Sequence, residues 1–462
     1  RGLGDVYKRQ LHRFMDEKAV PSSGMDAGKG ALLILFLVTM IDMIGFGIVI
    51  PFLTYLVEDL ATEQDISEIG LWVGLLMTSY SAAQFLFSPI WGSLSDRIGR
   101  RPVLMIGLVG NTVFFTVFGL ANTLMMALAA RFMAGVFNGN IAVARAYIGD
   151  VSTPKQLASR MGIIGAAFGL GFTVGPFLGG ELSTPAERWG VFAGTIFETN
   201  PYLLPCILAS VLSIFSLLLA FKYLPESLHP DSRTKRSKQS WGDTMRRTGT
   251  NVKRMLATKN IGSLMWVTFL YMFGFTVMHA VFILFTQMDP SQGGLGFSES
   301  QNGRIFALIG ILGIVTQGGL IGPLTRKYGS LFILRFGSVL SGIGLVLIPY
   351  SSLDFVWAWM ILITGCIAIG NGLFQPSSST VLTSLARQED YELGAVMGSQ
   401  ESLSSFARIL GPLTGGYVWT TTVDRNGFFD YHTAFHICGL LMIFAFLLSF
   451  KVESREPENV PQ

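Results

Sequence analysis

Residues 162–180 read GIIGAAFGLGFTVGPFLGG, an apolar stretch without a charged side chain that is crowded with glycine and contains one proline. In water, that many glycines destabilise a helix, and a proline in its interior breaks it. In a bilayer, small residues bring helix backbones close together, and neighbouring helices resatisfy the carbonyl that proline frees. Gly171, Gly175 and Gly179 recur every four residues and therefore share one helix face. The stretch predicts a membrane helix with a flat glycine ridge, used either for tight packing alone or for a contact that slides.

The composition of the whole chain also favours a membrane protein. Of its 462 residues, 50% are hydrophobic and only 14% are charged, whereas soluble domains are about a quarter charged. A helix needs roughly 20 apolar residues to cross a bilayer. We predict an all-α membrane protein with twelve transmembrane helices, at residues 31–57, 70–92, 103–122, 124–149, 160–181, 202–222, 261–287, 303–325, 331–350, 355–384, 393–420 and 433–451.

Lysine and arginine cluster in alternate loops, and the loops between carry almost none. Because basic residues mark cytoplasmic loops, both termini are predicted to be cytoplasmic. The basic segment 223–260 is then a cytoplasmic linker, helical in part, between six-helix units at 31–222 and 261–451, and 452–462 is a tail. The charge excess of the linker is what this topology requires, so it does not indicate nucleic-acid binding. Its basic face suits an anionic lipid surface.

The N-terminal segment 1–30 does not fit this pattern. Its first ten residues, RGLGDVYKRQ, lack a methionine and do not resemble the rest. We expect that this start is not native and that Met15 or Met25 begins the protein, without a secretory signal because the first apolar run is full length. The three cysteines, Cys206, Cys366 and Cys438, each lie in an apolar run and are expected to be buried thiols.

The second half of the chain repeats the first. MGIIGAAFGLGFTVGPFLGG at 161–180 aligns without a gap with MGSQESLSSFARILGPLTGG at 397–416, matching the Met-Gly, Gly-Pro and Gly-Gly pairs. GSLSDRIGRR from Gly92 likewise aligns with GPLTRKYGSL from Gly322. Internal duplication of this kind is typical of secondary transporters. We therefore predict two pseudo-symmetric six-helix bundles.

Several of these stretches resemble a known family. GSLSDRIGRRP resembles the signature that the major facilitator superfamily carries between spans 2 and 3. The opening stretch resembles the span-5 signature of the twelve-span drug/proton antiporters in that superfamily, and IDMIGFGIVIP and RFMAGVFNGNIAVARAYIGDV resemble its tetracycline-exporter branch. The resemblance covers about residues 31–451. The residues that match the antiporter signature are Gly162, Gly171, Gly175, Pro176, Gly179 and Gly180.

The resemblance implies roles for both signatures. Span 5 is expected to pack against span 8 of the other half, where Gly310, Gly313 and the pair at 318–319 would supply a second flat surface. The loop signature is expected to latch the cytoplasmic gate in one of two states, or, in a plainer interpretation, only to anchor the topology. In the second half Arg326 stands where the acidic residue would be, so the latch is degraded there. The gate residues are Gly92, Asp96, Arg97, Gly99, Arg100 and Arg101.

Ionisable residues inside the predicted spans are the candidates for proton coupling, because a charge in lipid is costly and usually functional. Asp42 lies in the middle of span 1, where the resemblance places an acidic residue; a structural hydrogen-bonding role is the alternative. Arg131 matches the family's span-4 arginine, although it can instead snorkel outward. Glu401 and Arg408 in span 11 are two turns apart and share a face. His279 in span 7 titrates near neutral pH if it is not simply a packing residue.

Neutral polar residues in the spans suit an amphiphilic substrate cavity. Two features of the tetracycline branch, a further acid in span 3 and a histidine in span 8, are absent here, which weakens tetracycline as the substrate. The cavity candidates are Gln84, Asn138, Asn140, Gln317, Asn371 and Gln375.

The sequence thus predicts a secondary transporter of the inner or plasma membrane, exporting an amphiphilic small molecule against inward proton flow. The alternatives are a proton symporter of the same superfamily and a transporter-like receptor or scaffold. No phosphate loop, metal-ligand spacing or nucleophile motif is present in the sequence, so we expect no enzyme activity, cofactor or metal. Its partners are expected to be a small molecule, protons and the bilayer, with the protein itself a monomer.

Overall fold

The computed structural model describes residues 29–228, 241–425 and 429–453, and these are almost entirely helical, with no β-strand among them. The predicted start and most of the tail lie outside this part of the chain. The helices of the first half are α1 (Lys29–Ile48), α2 (Leu53–Glu63), α3 (Ile69–Ile98), α4 (Arg100–Gly119), α5 (Leu124–Phe137), α6 (Asn140–Val151), α7 (Pro154–Leu182) and α8 (Leu203–Tyr223).

A linker helix and a second set of helices follow. The linker helix α9 (Trp241–Leu256) precedes α10 (Asn260–Gln287), α11 (Glu299–Val315), α12 (Ile321–Tyr328), α13 (Ser330–Leu347), α14 (Val356–Gln388), α15 (Leu393–Thr422) and α16 (His432–Ser449). We call the end of the molecule that carries α9 the linker end and the opposite end the far end.

Ten helical segments in the described part of the chain are long and apolar enough to cross a membrane. The predicted spans 5 and 11 are α7 and α15, which have 29 and 30 residues and are rich in glycine. Both are long enough to cross, but neither is among the ten. The fold is therefore the predicted multi-span helical one, and the count of twelve spans stays a prediction.

Three of the predicted spans are interrupted. Pro51 lies between α1 and α2, where its missing N–H ends the helix. Asn138 and Gly139 separate α5 from α6. Residues 316–320 form a π-helical turn between α11 and α12. Breaks in membrane helices are tolerated where protein or a water-filled cavity satisfies the freed backbone.

The repeat is visible in the turns as well as in the sequence. Gly99 joins α3 to α4 with φ of 112°, and Gly329 joins α12 to α13 with φ of 80°. A side chain is strained in this left-handed region, which is why glycine stands at both positions. The two halves therefore make the same tight turn at the places that the sequence alignment pairs.

The glycine ridge of α7 lies against α1 of its own half, not against the other half as the resemblance implied. A Cβ added at Gly175 would lie 2.7 Å from the Ile44 carbonyl oxygen, and one at Gly179 would lie 1.9 Å from that of Ile48. Gly171 meets Met43 and Ile44 in the same way. The expected face was wrong because a four-residue period fixes which glycines share a face but not which helix that face meets.

A neighbouring face of α7 makes the contact between the halves. Gly180 packs on Glu299 and Gly303 of α11, and Gly310 packs on Thr173. Gly313 and the glycines at 318–319 have no atom near an added Cβ. Span 5 therefore packs against span 8 as expected, tightly from Gly180 to Thr173 and more loosely at Gly169, where an added Cβ would lie 3.5 Å from Ile314.

Helices α3 and α15 repeat this arrangement. An added Cβ at Gly416 would lie 2.1 Å from the Gly70 carbonyl oxygen, and one at Gly74 would lie 2.5 Å from that of Pro412. Towards the linker end, Gly92 and Gly398 on the same two helices meet nothing. The halves are thus closely packed at the far end and apart at the linker end.

Polar contacts reinforce the closed far end. Each of them joins a group in the first half to a group in the second. They are Asn302 to Tyr55 at 2.8 Å, Gln287 to Glu58 at 2.7 Å, Arg304 to Glu181 at 2.6 Å, Thr78 to the Ile409 carbonyl at 2.8 Å, and the Leu71 N–H to Thr420 at 3.0 Å.

Candidate functional site

Asp42 is the centre of a buried polar cluster in the first half. Its side chain is 2% exposed. The Asn111 amide of α4 donates to Oδ1 at 3.2 Å, and the Asn140 amide of α6 donates to Oδ2 at 2.8 Å. One carboxylate thus joins α1, α4 and α6, and each of its oxygens has a donor. Asn111 was missed in the sequence, where a single amide in an apolar run gives no signal.

The break in span 4 places Asn140. The helix stops at Phe137 and starts again at Asn140, so this residue is the first of α6. Gly107 of α4 lies directly behind the Asn140 amide, where an added Cβ would be 2.1 Å from its Oδ1. The missing side chain at Gly107 is what leaves room for the amide beside Asp42.

Arg131 forms a second cluster on the preceding helix, α5. Its guanidinium is 4% exposed and lies over the ring of Tyr80 at 4.7 Å and that of Phe118 at 5.7 Å. Its Nε and Nη1 have no hydrogen-bond partner. The predicted alternative of outward snorkelling is therefore not observed, because the group is buried against aromatic faces.

Tyr80 connects the two clusters. The Asn138 amide, at the helix break, donates to its hydroxyl, and Gln84 donates to Asn138 at 3.3 and 3.4 Å. The Tyr80 ring also contacts Phe46 of α1, with centroids 5.1 Å apart. The break at 138–139 therefore has the carboxylate cluster on one side and the arginine cluster on the other.

In the second half, Glu401 and Arg408 pair at 2.8 Å, and Arg408 also donates to Ser405 at 2.8 Å. This ion pair agrees with the predicted shared face. The side chains of Glu401 and Arg408 are 52% and 36% exposed. Arg145 of α6 lies within electrostatic range of Glu401 across the gap between the halves. His279 stands apart from this pair, packed edge-on against Phe275 with centroids 4.7 Å apart.

The neutral cavity candidates of the second half lie mostly on α14. Asn371 accepts from the Tyr271 hydroxyl at 3.4 Å, and Gln375 donates to the Met272 sulfur at 2.8 Å, so both contact α10. Gln317 lies exposed in the π-helical turn. The four-residue spacing of Asn371 and Gln375 continues to Ser379 and Thr383. These two residues were not predicted, although their spacing indicates the same helix face.

The loop signature forms a charge network within the first half. Arg100 is 4% exposed and pairs with Asp96 at 2.7 Å and with Asp150 at 2.9 Å. Its backbone N–H and that of Arg101 donate to the Glu226 carboxylate at 2.9 and 3.2 Å. With the linker end open, these groups join α3, α4 and α6 of one half. The predicted latch between the halves stays a prediction.

We expect Arg100→Ala to destabilise the protein by about 3 kcal/mol, because it removes the buried guanidinium that pairs with two carboxylates. The melting temperature of the purified protein in detergent measures this effect. Arg326→Ala is the control, since Arg326 is exposed at the equivalent turn of the second half, where a change of less than about 0.5 kcal/mol is expected. Equal losses in the two variants would contradict the network.

Among the described residues, no group of three or more histidine, cysteine, aspartate or glutamate side chains is arranged to hold a metal ion. Of the antiporter signature, the surroundings of Gly162 lie outside what the structure describes. The thiols of Cys206 and Cys438 are buried and that of Cys366 is partly buried, all three without a disulfide.

Comparison with known proteins identifies relatives over most of the chain. The sequence profile of the Major Facilitator Superfamily matches residues 35–412. A relative named "Probable peptide/nitrate transporter" from Arabidopsis thaliana is 27% identical over 406 residues, covering 85% of this chain and 84% of that protein. The class C tetracycline resistance protein of Escherichia coli is 28% identical over 383 residues, covering 83% and 88%.

A solved structure shares the fold. The human organic anion transporter MFSD10 (TETRAN) superposes with a TM-score of 0.63 at 24% sequence identity, covering 91% of this chain and 99% of that one. At this identity the likeness shows the arrangement of helices and not a shared substrate.

Proposed function

Because the chain belongs to the Major Facilitator Superfamily, we propose that it is a proton-coupled antiporter that exports an amphiphilic small molecule by alternating access. The observation that carries the proposal is the buried carboxylate of Asp42, held between the Asn111 amide of span 3 and the Asn140 amide at the break of span 4. A carboxylate inside a membrane bundle is costly and is a functional site by default. The role of proton carrier is assigned to Asp42.

The surroundings of Asp42 can accommodate both of its protonation states. Asparagine donates through its NH2 group and accepts through its carbonyl oxygen. In the observed arrangement both amides donate, which suits the ionised carboxylate, and the buried Oδ1 of Asn111 has no donor. Rotation of that amide would turn this oxygen towards a protonated Asp42. Loading and release of a proton then need only a side-chain rotation, which keeps Asp42 hydrogen-bonded to both amides in either protonation state.

Arg131 supplies a fixed positive charge against the ring of Tyr80, and Tyr80 in turn lies within electrostatic range of Asp42. Its guanidinium is held by the rings of Tyr80 and Phe118, not by an acid, and two of its nitrogens are unpaired. A cation in a medium of low dielectric favours the ionised form of a nearby carboxylate. We assign to Arg131 the role of promoting proton release from Asp42 through Tyr80 and the polar groups at the break.

The packing of the halves supports alternating access. The far end is closed by glycine contacts and polar pairs, while the linker end is open. With the basic linker on the cytoplasmic side, this state is open to the cytoplasm and would take up an exported compound there. On α14, the exposed Ser379 lies two turns beyond Asn371 and would contact an amphiphile through its hydroxyl. The membrane concerned is the inner or plasma membrane, and the working unit is a monomer.

The test uses the purified protein in liposomes loaded with a pH-sensitive dye under an imposed proton gradient. Tetracycline, tetraphenylphosphonium and glucose are added in turn. Proton movement opposite to the compound supports antiport. Movement in the same direction makes the protein a symporter. No compound-dependent proton movement across a wider panel would favour the receptor or scaffold.

A further inference from the structure

The helices of the two halves correspond residue by residue. Thr39 donates to the Leu35 carbonyl in α1, and Thr268 donates to the Leu264 carbonyl in α10, at one constant offset in the sequence. The same offset relates two backbone contacts. An added Cβ at Gly179 of α7 would meet the Ile48 carbonyl, and one at Gly415 of α15 would meet the Val277 carbonyl. The correspondence between α1 and α10 is therefore fixed by four contacts, independently of the residues discussed next.

The same offset that pairs Thr39 with Thr268 pairs Asp42 with Tyr271. The turn glycines, Gly99 and Gly329, pair Asn111 with Ser341 in the same way. On the fourth helix of each half, Asn371 takes the place of Asn140. The Asp42 cluster thus has a counterpart at every position.

The three counterparts are also joined by hydrogen bonds. The Tyr271 hydroxyl lies 2.8 Å from the Ser341 hydroxyl and donates to the Asn371 carbonyl at 3.4 Å. Like Asp42, Tyr271 is fully buried, and its ring stacks on Phe374 with centroids 3.6 Å apart. One side chain therefore links the first, third and fourth helices of the half in both cases. The difference is that the link is a carboxylate in the first half and a phenol in the second.

We propose that Tyr271, Ser341 and Asn371 are the non-titrating counterpart of the Asp42 site, so that this protein couples its conformational change to protonation at this position in the first half only. A phenol titrates near pH 10 and stays neutral over the range in which a buried carboxylate changes charge. Tyr271 is a positioning residue that holds α10, α13 and α14 together whether or not a proton is bound. The inference rests on the proposed proton coupling.

The charged groups near each site agree with this asymmetry. Arg131, with Tyr80, is the charged neighbour of the Asp42 cluster. On α10 itself His279 lies two turns beyond Tyr271, and on the packed helix α15 the pair of Glu401 and Arg408 is already neutralised at 2.8 Å. No fixed unpaired cation therefore stands beside Tyr271 among the described residues in the way that Arg131 stands beside Tyr80.

The test needs no identified substrate. Spin labels at Thr153→Cys and Lys327→Cys, both exposed at the linker end, report the separation of the halves between pH 5 and 9, in a protein whose three native cysteines are replaced. Wild type is expected to show one pH transition, and Asp42→Asn none. Tyr271→Phe, which keeps the ring, is expected to keep the transition with an unchanged midpoint but a lower melting temperature. Tyr271→Asp in the Asp42→Asn protein is expected to restore a transition.

Each outcome separates this inference from the proposed function. An Asp42→Asn protein that keeps the transition contradicts proton coupling at Asp42. A Tyr271→Phe protein that loses the transition, or shifts its midpoint by a unit or more, shows that Tyr271 takes part in proton transfer and overturns the inference alone. A folded double variant without a transition overturns it as well. If the double variant does not fold, Tyr271→Phe still decides.

Discussion

Replacing Gly416 with valine is expected to separate the halves at the far end and shift the protein towards the state that is open there. The added Cβ would lie 2.1 Å from the Gly70 carbonyl oxygen of the other half, and a backbone atom cannot move aside alone. Overpacking of this kind costs about 1–3 kcal/mol. Because only the closed far end contains this contact, the ratio of the two states should change by about five- to 150-fold.

The distance between spin labels at Thr153→Cys and Lys327→Cys measures the change, because closure of the linker end brings these sites together. Gly398→Val is the matched control on the same helix. Gly398 meets nothing here, so valine fits this state and obstructs closure of the linker end, which predicts the opposite shift or none. Identical distance distributions in the two variants would contradict alternating access about this contact.

The sequence was sufficient for the architecture and for the identity of the packing residues, but not for their partners. Glycine spacing predicted the ridge of α7 correctly, yet the ridge meets α1, and the halves touch through Gly180 on the adjacent face. Two faces of one helix differ by a single residue step, and hydrophobicity does not distinguish them in lipid. The identity of the neighbouring helix is a tertiary property, which periodicity along one helix does not contain.

The candidate site shows the same limit. Asp42 and Arg131 were predictable because charge inside a membrane span is rare. Asn111 and Tyr80 were not, since single polar or aromatic residues are common in spans and gain meaning only from the carboxylate and guanidinium beside them. The pairing of Asp42 with Tyr271 required the three-dimensional contacts, because an acid and a tyrosine do not align as similar residues.

Asp42→Asn is expected to abolish compound-dependent proton movement in liposomes, down to the level of empty vesicles. The substituted amide has the size of the carboxylate and stays neutral at every pH, so it resembles the protonated state permanently. One of the flanking amides, Asn111 or Asn140, must rotate to accept from it, which the unused oxygen of Asn111 allows. The variant should therefore fold, bind its compound and exchange labelled for unlabelled compound without a proton gradient.

This separation of exchange from proton movement is what a proton carrier predicts and what a structural residue does not. Thr39→Ala is the control, because Thr39 is buried one turn away on the same helix and its hydroxyl donates to the Leu35 carbonyl of that helix. This variant should retain proton movement. If Asp42→Asn lost exchange and proton movement together, with a lowered melting temperature, the carboxylate would be a structural link between α1, α4 and α6. Full proton movement in the variant would instead move the search for the carrier to Glu401, whose exposed pair with Arg408 lies within electrostatic range of Arg145 in the other half.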